Sequence, residues 1–251
     1  MKAKKIYFAS DQHFGAPNAE KSLQREKLFV NWLDLVKKDA EAIFLLGDLF
    51  DFWFEYKHVV PKGFVRVLGK IAEIRDSGIP IYFFVGNHDL WMTDYFEKEL
   101  NIPVYRKPTE FRLHDKSFLI GHGDGLGPGD KGYKFLKKIF VNPLCNWLFK
   151  WFHPDLGMGL AKYLSIENKT ISGEVDVKFL GEYNEHLILF CKEVLQEKHY
   201  DYFVFGHRHL PMIFDLPHNS KYINTGDWIT YFTYGVLENG VFDIKEHLQN
   251  S

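Results

Sequence analysis

Five short polar motifs carry the residue types that bind divalent cations and cut phosphate esters. They are Asp11-Gln12-His13, Gly47-Asp48, Gly86-Asn87-His88-Asp89, Gly121-His122-Gly123-Asp124 and Gly206-His207-Arg208-His209. Carboxylate, imidazole and one carboxamide make up the donor set expected of a site holding two divalent metals. Hydrolysis of a phosphate ester or anhydride is slow because a poor nucleophile, water, must attack an anion. Two cations about 3.5–4 Å apart meet both difficulties, since they acidify water and neutralise phosphoryl oxygens. Asp11 and His13 occupy alternate positions just past a strand, as His207 and His209 do further on, so each pair can face one way. Asp48 suits the bridge between cations, with Asn87 and His122 completing the second. The glycines before Asp48, Asn87, His122 and His207 allow sharp turns and close backbone approach.

Singly these motifs say little, because Asp-X-His arises by chance and Gly-Asp is a common turn. Their placement carries the reading. Four follow directly on apolar runs that read as buried strands, Ala42–Leu46, Ile79–Val85, Ser117–Ile120 and Tyr202–Phe205; the first follows Ile6–Ala9 with only Ser10 between. The first half alternates strand and helix. Lys4–Ser10 is a predicted strand, and Glu20–Lys38 is a predicted helix with its apolar face at Leu23, Leu28, Trp32, Leu35 and Val36. Phe64–Ser77 is the next helix, with Gly78 and Pro80 marking the switch to the following strand. Such alternation predicts an α/β fold whose ligands gather where strand C-termini open into loops. Past Glu110 the pattern changes to short strands at Glu110–His114, Ser117–Gly121, Tyr202–Gly206, Met212–Leu216, Tyr222–Thr225, Tyr231–Leu237 and Val241–Ile244. Asp115-Lys116 and Asn239-Gly240 read as hairpin turns. Residues 128–172 read as a helical insertion, and Glu174–Lys198 as a helix packed on the core.

A chain of 251 residues with 46% hydrophobic and 25% charged residues suits one domain, 1–251, carrying that insertion. A net charge of −2 gives no global attraction to nucleic acid. Cys145 and Cys191 are too few for a disulfide framework and read as small hydrophobes. Met1–Lys5 is basic, but Ile6–Ala9 is shorter than a signal-peptide core, and no run reaches the roughly 18 apolar residues of a membrane span. The chain reads as cytoplasmic.

The ordered set of five motifs resembles the calcineurin-like metallophosphoesterase superfamily, over nearly the whole chain. The resemblance implies a four-layer α/β/β/α sandwich with a helical lid and two divalent ions. One ion would lie on Asp11, His13, Asp48 and His209, the other on Asp48, Asn87, His122 and His207. It also implies that His88, held by Asp89, acts beside the scissile phosphate by steadying transition-state charge or protonating the leaving oxygen.

Within that superfamily, Gly47-Asp48-Leu49-Phe50-Asp51-Phe52-Trp53 is similar to the signature of UDP-2,3-diacylglucosamine pyrophosphohydrolases of lipid A biosynthesis. That likeness implies cleavage of a diphosphate to UMP and 2,3-diacylglucosamine 1-phosphate, usually with Mn2+, although imidazole, carboxylate and amide donors suit Zn or Fe as well. One departure stands out: well-known members have arginine after the asparagine, where this chain has His88. Asn87 and His88, with Ser165, Asn168 and Lys169 of the insertion, are candidates for the substrate.

The insertion adds its own signal. From Lys131 to Lys169 there are seven lysines against Asp155 and Glu167, and from Tyr133 to Phe152 seven aromatics, so a basic, apolar segment sits in a weakly acidic protein. It suits either a lid that holds acyl chains and a diphosphate and rests on the cytoplasmic face of the inner membrane, or a plain helical cap. The aromatics Phe50, Phe52, Trp53, Phe54 and Tyr56 after Asp48, and Trp91 and Met92 after His88, either plug the core or wall a pocket. The expected partners are a lipid-linked nucleotide and a membrane surface, with no nucleic acid and no obligate protein partner. The rival readings are another phosphoesterase of the superfamily, such as a nucleotide pyrophosphatase or protein phosphatase, and a non-catalytic scaffold on the same fold.

Overall fold

The computed structural model describes residues 4–157, 159 and 178–247. Two sheets face each other. The first has the order β11-β10-β1-β2-β3-β4, built from β1 (Lys5–Ala9), β2 (Ala40–Leu45), β3 (Ile81–Phe84), β4 (Val104–Tyr105), β10 (Thr233–Glu238) and β11 (Val241–Glu246). The second has the order β5-β6-β7-β9-β8, from β5 (Thr109–Leu113), β6 (Lys116–Ile120), β7 (Tyr202–Phe205), β8 (Met212–Asp215) and β9 (Lys221–Asn224). β1, β2, β3 and β4 run parallel, as do β6, β7 and β9, so each sheet has a run of neighbouring strands whose C-termini share an end.

Strands buried on both faces read as continuous apolar runs, which is why Ile43-Phe44-Leu45 and Tyr202-Phe203-Val204-Phe205 carry no polar residue. Their inward side chains make the inter-sheet core of Ile6, Phe8, Phe44, Phe84, Phe118, Ile120, Val204 and Ile223. The outer face of the first sheet is covered by α1 (Ala19–Val36), α2 (Val65–Asp76) and the short α3 (Tyr95–Leu100), through Phe29, Trp32, Leu33, Val67, Ile71 and Phe96. The outer face of the second is covered by the helix His186–Glu197, which buries Leu187, Ile188 and Cys191 against Leu119, Phe203 and Tyr222. These layers are the α/β/β/α sandwich.

Several expectations shift. The core face of α1 is Arg25, Glu26, Phe29, Trp32, Leu33 and Val36, while Leu35 is 52% exposed. Two charged residues lie on the buried face because they satisfy loop backbone. Arg25 donates to the carbonyls of His13 and Ala16, and Glu26 accepts from the amides of Arg66 and Val67, at the start of α2. Among the described residues of the expected Glu174–Lys198 helix, only His186–Glu197 is helical. Gly181 and Asn184 form a turn before it, at which the Asn184 and Glu185 amides bond Gly181 O. The first hairpin turn lies at His114-Asp115, one residue earlier than expected, with both residues left-handed. Helix α3 and strand β4 have no counterpart in the sequence reading.

In the insertion, α4 (Lys131–Phe140) and α5 (Pro143–Phe149) are helical as expected. Ser165, Asn168 and Lys169 lie outside the described residues. Phe50, Trp53 and Met92 are core plugs, fully buried. Phe54 and Trp91 instead seat α5, with their rings 4.6 and 5.7 Å from that of Phe149.

Candidate metal centre

All five motifs converge at the shared end of the two sheets. Backbone bonds tie the loops together: Asp11 N to Gly47 O at 3.1 Å, His13 N to Asp48 O at 2.9 Å, Gly206 N to His122 O at 2.9 Å and Trp228 N to Asp11 O at 3.2 Å. The loops turn tightly. Asp11, His13, Asp48, His207 and His209 all have positive φ, between 46° and 69°. Left-handed backbone costs a non-glycine residue roughly 1–2 kcal/mol, and its concentration on these five side chains marks a site whose surroundings enforce the geometry.

The donor atoms fall into two groups that share one carboxylate. In the first, Asp11 Oδ1 lies 3.3 Å from His209 Nε2 and 3.8 Å from His13 Nε2. The two ring nitrogens are 3.2 Å apart, and Asp48 Oδ2 is 3.7 Å from His13 Nε2. In the second, the same Asp48 Oδ2 is 3.4 Å from His122 Nε2, and Asn87 Oδ1 is 3.1 Å from His122 Nε2 and 3.0 Å from His207 Nδ1. Asp11, His13, Asp48 and His122 are buried, whereas Asn87, His88, His207 and His209 are only partly so and form the mouth.

These residues fit a pair of divalent cations on physical grounds. Asp11 Oδ1 is buried with no hydrogen-bond partner, a costly arrangement unless something else satisfies it. Ligand atoms of Asp11, His13 and His209, and of Asp11, Asp48 and His122, lie within 4.8 Å of one another, and the mixture of carboxylate, imidazole and carboxamide oxygen suits transition metals. The charge pattern agrees. Burial works against ionisation of Asp11 and Asp48, yet the surrounding imidazoles hold both carboxyls well below the usual carboxylate range. Burial likewise opposes charge on His122 and His209, but Asp48 lifts His122 to about 10, and Asp11 and Asp227 lift His209 to about 10. His207 moves down, through burial and repulsion from His122. The buried carboxylates draw positive charge into the site.

Outer partners fix the rings. His122 Nδ1 donates to Leu46 O at 2.7 Å, leaving Nε2 as the donor atom for a cation. Asp227 Oδ2 lies 3.3 Å behind His209 Nδ1, and Asp51 Oδ1 lies 3.5 Å behind His13 Nδ1. Neither carboxylate was singled out from the sequence. The signal for Asp227 is present, since Gly226-Asp227 follows strand β9 as Gly47-Asp48 follows β2. Asp51 stands three residues past Asp48 within the same loop.

His88 sits at the mouth, its ring 4.6 Å from that of His13. Its amide donates to Asp48 Oδ1 at 2.8 Å and its Nδ1 donates to the Asp51 carbonyl at 2.9 Å. The orienting contact is therefore with Asp51, where the sequence reading assigned it to Asp89. Asp89 is fully buried and braces backbone, accepting from Gly86 N at 2.6 Å and Leu49 N at 3.0 Å. Burial and the negative charge of Asp48 push its carboxyl up to about 8.

Related proteins align along nearly the whole chain. Residues 4–211 match the calcineurin-like phosphoesterase family. The chain is 38% identical over 246 residues to the protein of Porphyromonas gingivalis named UDP-2,3-diacylglucosamine hydrolase, covering 93% of this chain and 94% of that one. Proteins of the same name from a Shewanella species and from Histophilus somni are 27% and 26% identical, covering 88% and 90% of this chain and 88% and 92% of theirs. With its strand-end donor set, its sandwich and this full-length match, the chain belongs to the calcineurin-like phosphoesterase family.

Proposed function

We propose that this chain is a two-cation hydrolase that cleaves the diphosphate of UDP-2,3-diacylglucosamine, releasing UMP and 2,3-diacylglucosamine 1-phosphate. The observation that carries the reading is the identity along nearly the whole of both chains to a protein named for that substrate. One cation is assigned to Asp11, His13, Asp48 and His209, and the other to Asp48, Asn87, His122 and His207, with Mn2+ as the metal. When bound, such a pair supplies an acidified water and neutralises charge on the phosphoryl oxygens.

The chain's own residues supply the rest. Asp48 is held for bridging by the His88 amide on Oδ1, which leaves Oδ2 facing both imidazole groups. Asn87 joins His122 and His207 through one carboxamide oxygen. With Nδ1 of His88 engaged at the Asp51 carbonyl, its chemistry belongs to Nε2, which we assign to steadying charge on the phosphoryl group or protonating the leaving oxygen. Asp89 acts indirectly, by fixing the Gly86 and Leu49 backbone on either side of the bridge.

The insertion, taken as residues 128–172 of a single domain, supports a lipid substrate. A cavity of about 260 Å³ lies beside Trp91, lined also by Phe54, Pro143, Trp147 and Lys150. Phe135, Leu144, Leu148, Trp151 and Phe152 are exposed among Lys131, Lys134, Lys138 and Lys150, a mixture suited to the surface of an anionic bilayer. No helix among the described residues is long and apolar enough to cross a membrane. Ser165, Asn168 and Lys169 stay assigned to the head group by their position in the insertion.

The test is hydrolysis by purified protein with Mn2+ in mixed micelles. UDP-2,3-diacylglucosamine, UDP-glucose and bis-p-nitrophenyl phosphate are offered in parallel. Rapid UMP release from the lipid alone supports the reading, and turnover of the soluble esters without the lipid discards the substrate.

A further inference from the structure

Helix α4 of the insertion is fastened to the metal-ligand loops at both ends. Tyr133 in its first turn and Lys137 one turn further on both reach the carboxylate of Asp124. Tyr133 donates its hydroxyl to Oδ2, and Lys137 Nζ lies 2.5 Å from Oδ2 and 3.3 Å from the Asp124 carbonyl. Lys134 adds a bond to the Gly127 carbonyl. At the other end, the Phe140 carbonyl accepts the indole N–H of Trp91 at 2.8 Å, and the two rings meet at 5.4 Å. Asp124 stands two residues after His122, and Trp91 stands three after His88. A helix pinned in this way spans two of the loops that build the site.

We infer that Tyr133 and Lys137 are positioning residues that hold the His122 loop, and with it the second cation, through Asp124. The inference rests on the two-cation reading above. Asp124 is buried beside His122 and His207, so its charge needs a partner. Gly123 between His122 and Asp124 has φ +118°, a conformation open to glycine. Tyr133 and Lys137 hold the loop on the Asp124 side of that glycine. Without them, a buried carboxylate two residues from a ligand would turn toward water or toward the cations and pull on the His122 loop, leaving the bond of His122 Nδ1 to Leu46 O to hold the ring over Asn87 and Asp48 by itself. Among the described residues, the His13 and His209 rings face Asp11, Asp48, Asp51 and Asp227 instead, so the first cation keeps its ligands. The insertion thus serves the metal centre as well as the substrate.

The experiment is titration of the full chain with Mn2+ by calorimetry, with electron paramagnetic resonance to distinguish a coupled ion pair from an isolated ion. Wild type, the double variant Tyr133→Phe/Lys137→Met, Tyr133→Phe alone and Lys137→Arg are compared. Two Mn2+ per wild-type chain are expected. In the double variant one keeps its affinity and the other weakens on the order of 10-fold or more, with the coupled spectrum giving way to that of an isolated ion. Lys137→Arg retains the pair because the charge on Asp124 is kept. If the double variant does not fold, Tyr133→Phe, which removes one hydroxyl, carries the test with a smaller loss at the second ion. Equal affinities in wild type and variants, equal weakening of both ions, or a loss in Lys137→Arg as large as in the double variant would each overturn the inference. Fewer than two Mn2+ on the wild-type chain would instead overturn the two-cation reading beneath it.

Discussion

Gly86 packs directly against Asp48: a methyl group on Gly86 would stand 2.6 Å from the Asp48 amide nitrogen and closer still to Oδ1. That oxygen accepts the His88 amide, so the glycine guards both the Asp48 carboxylate and the loop that carries His88. Gly86→Ala is expected to displace the bridge, lowering Mn2+ affinity and turnover by at least about 100-fold, while overpacking costs roughly 1–3 kcal/mol of stability. Metal content, turnover and thermal unfolding of the same preparation check this. Full metal loading in the variant would separate Gly86 from the site.

His88 is assigned to the reacting groups and not to the metals. His88→Ala should keep both cations and slow the chemical step by on the order of 10²–10⁴-fold. Single-turnover kinetics beside a metal analysis read both quantities. Loss of the cations would make His88 a ligand.

Asp227 and Asp51 sit behind the rings of His209 and His13. Asp227→Asn and Asp51→Asn should each weaken Mn2+ binding or activity by about 10–100-fold. Because His209 and His13 belong to the same group of donors, the loss should fall on the first cation and leave the second. A Mn2+ titration of each variant measures it, and unchanged affinity in both would refute the outer-carboxylate role.

Away from the site, Asp201 locks β6 beside β7. It accepts from the amide and hydroxyl of Ser117, each at 2.8 Å, with Lys116 Nζ at 3.1 Å. Burial opposes its charge, but these donors prevail and bring the carboxyl down to about 2. A folded-state value below the unfolded one of 3.8 means stability that is complete above about pH 4 and lost as pH falls toward 2. Asp201→Asn should therefore cost about 1–2 kcal/mol at neutral pH, with the difference from wild type closing in acid. Denaturant unfolding across that range decides it, and a gap independent of pH would mean that charge is not the cause.

The site was legible where function and local pattern coincide. Asp48, Asn87, His122 and His207 each follow a glycine at the end of an apolar strand, and that conjunction survives in one dimension. Asp51 and Asp227 were missed because their work lies in contacts with His13 and His209, 38 residues back and 18 back along the chain. The resemblance gave Asp89 the task of orienting His88; its carboxylate accepts the Gly86 and Leu49 amides, while the His88 ring meets the Asp51 carbonyl. The α/β alternation gave the layers, yet Arg25 and Glu26 masked the core face of α1, since polar residues bonded to loop backbone break the apolar stripe. Helix α3 is only six residues long and buries only Phe96, too little for a periodic signal.

The most direct test is a crystal structure of the chain grown with Mn2+, with anomalous scattering recorded at the manganese edge. The account predicts two peaks on either side of Asp48 Oδ2, one among Asp11, His13 and His209 and the other among Asn87, His122 and His207. A single peak, or a pair that does not share Asp48, would contradict it.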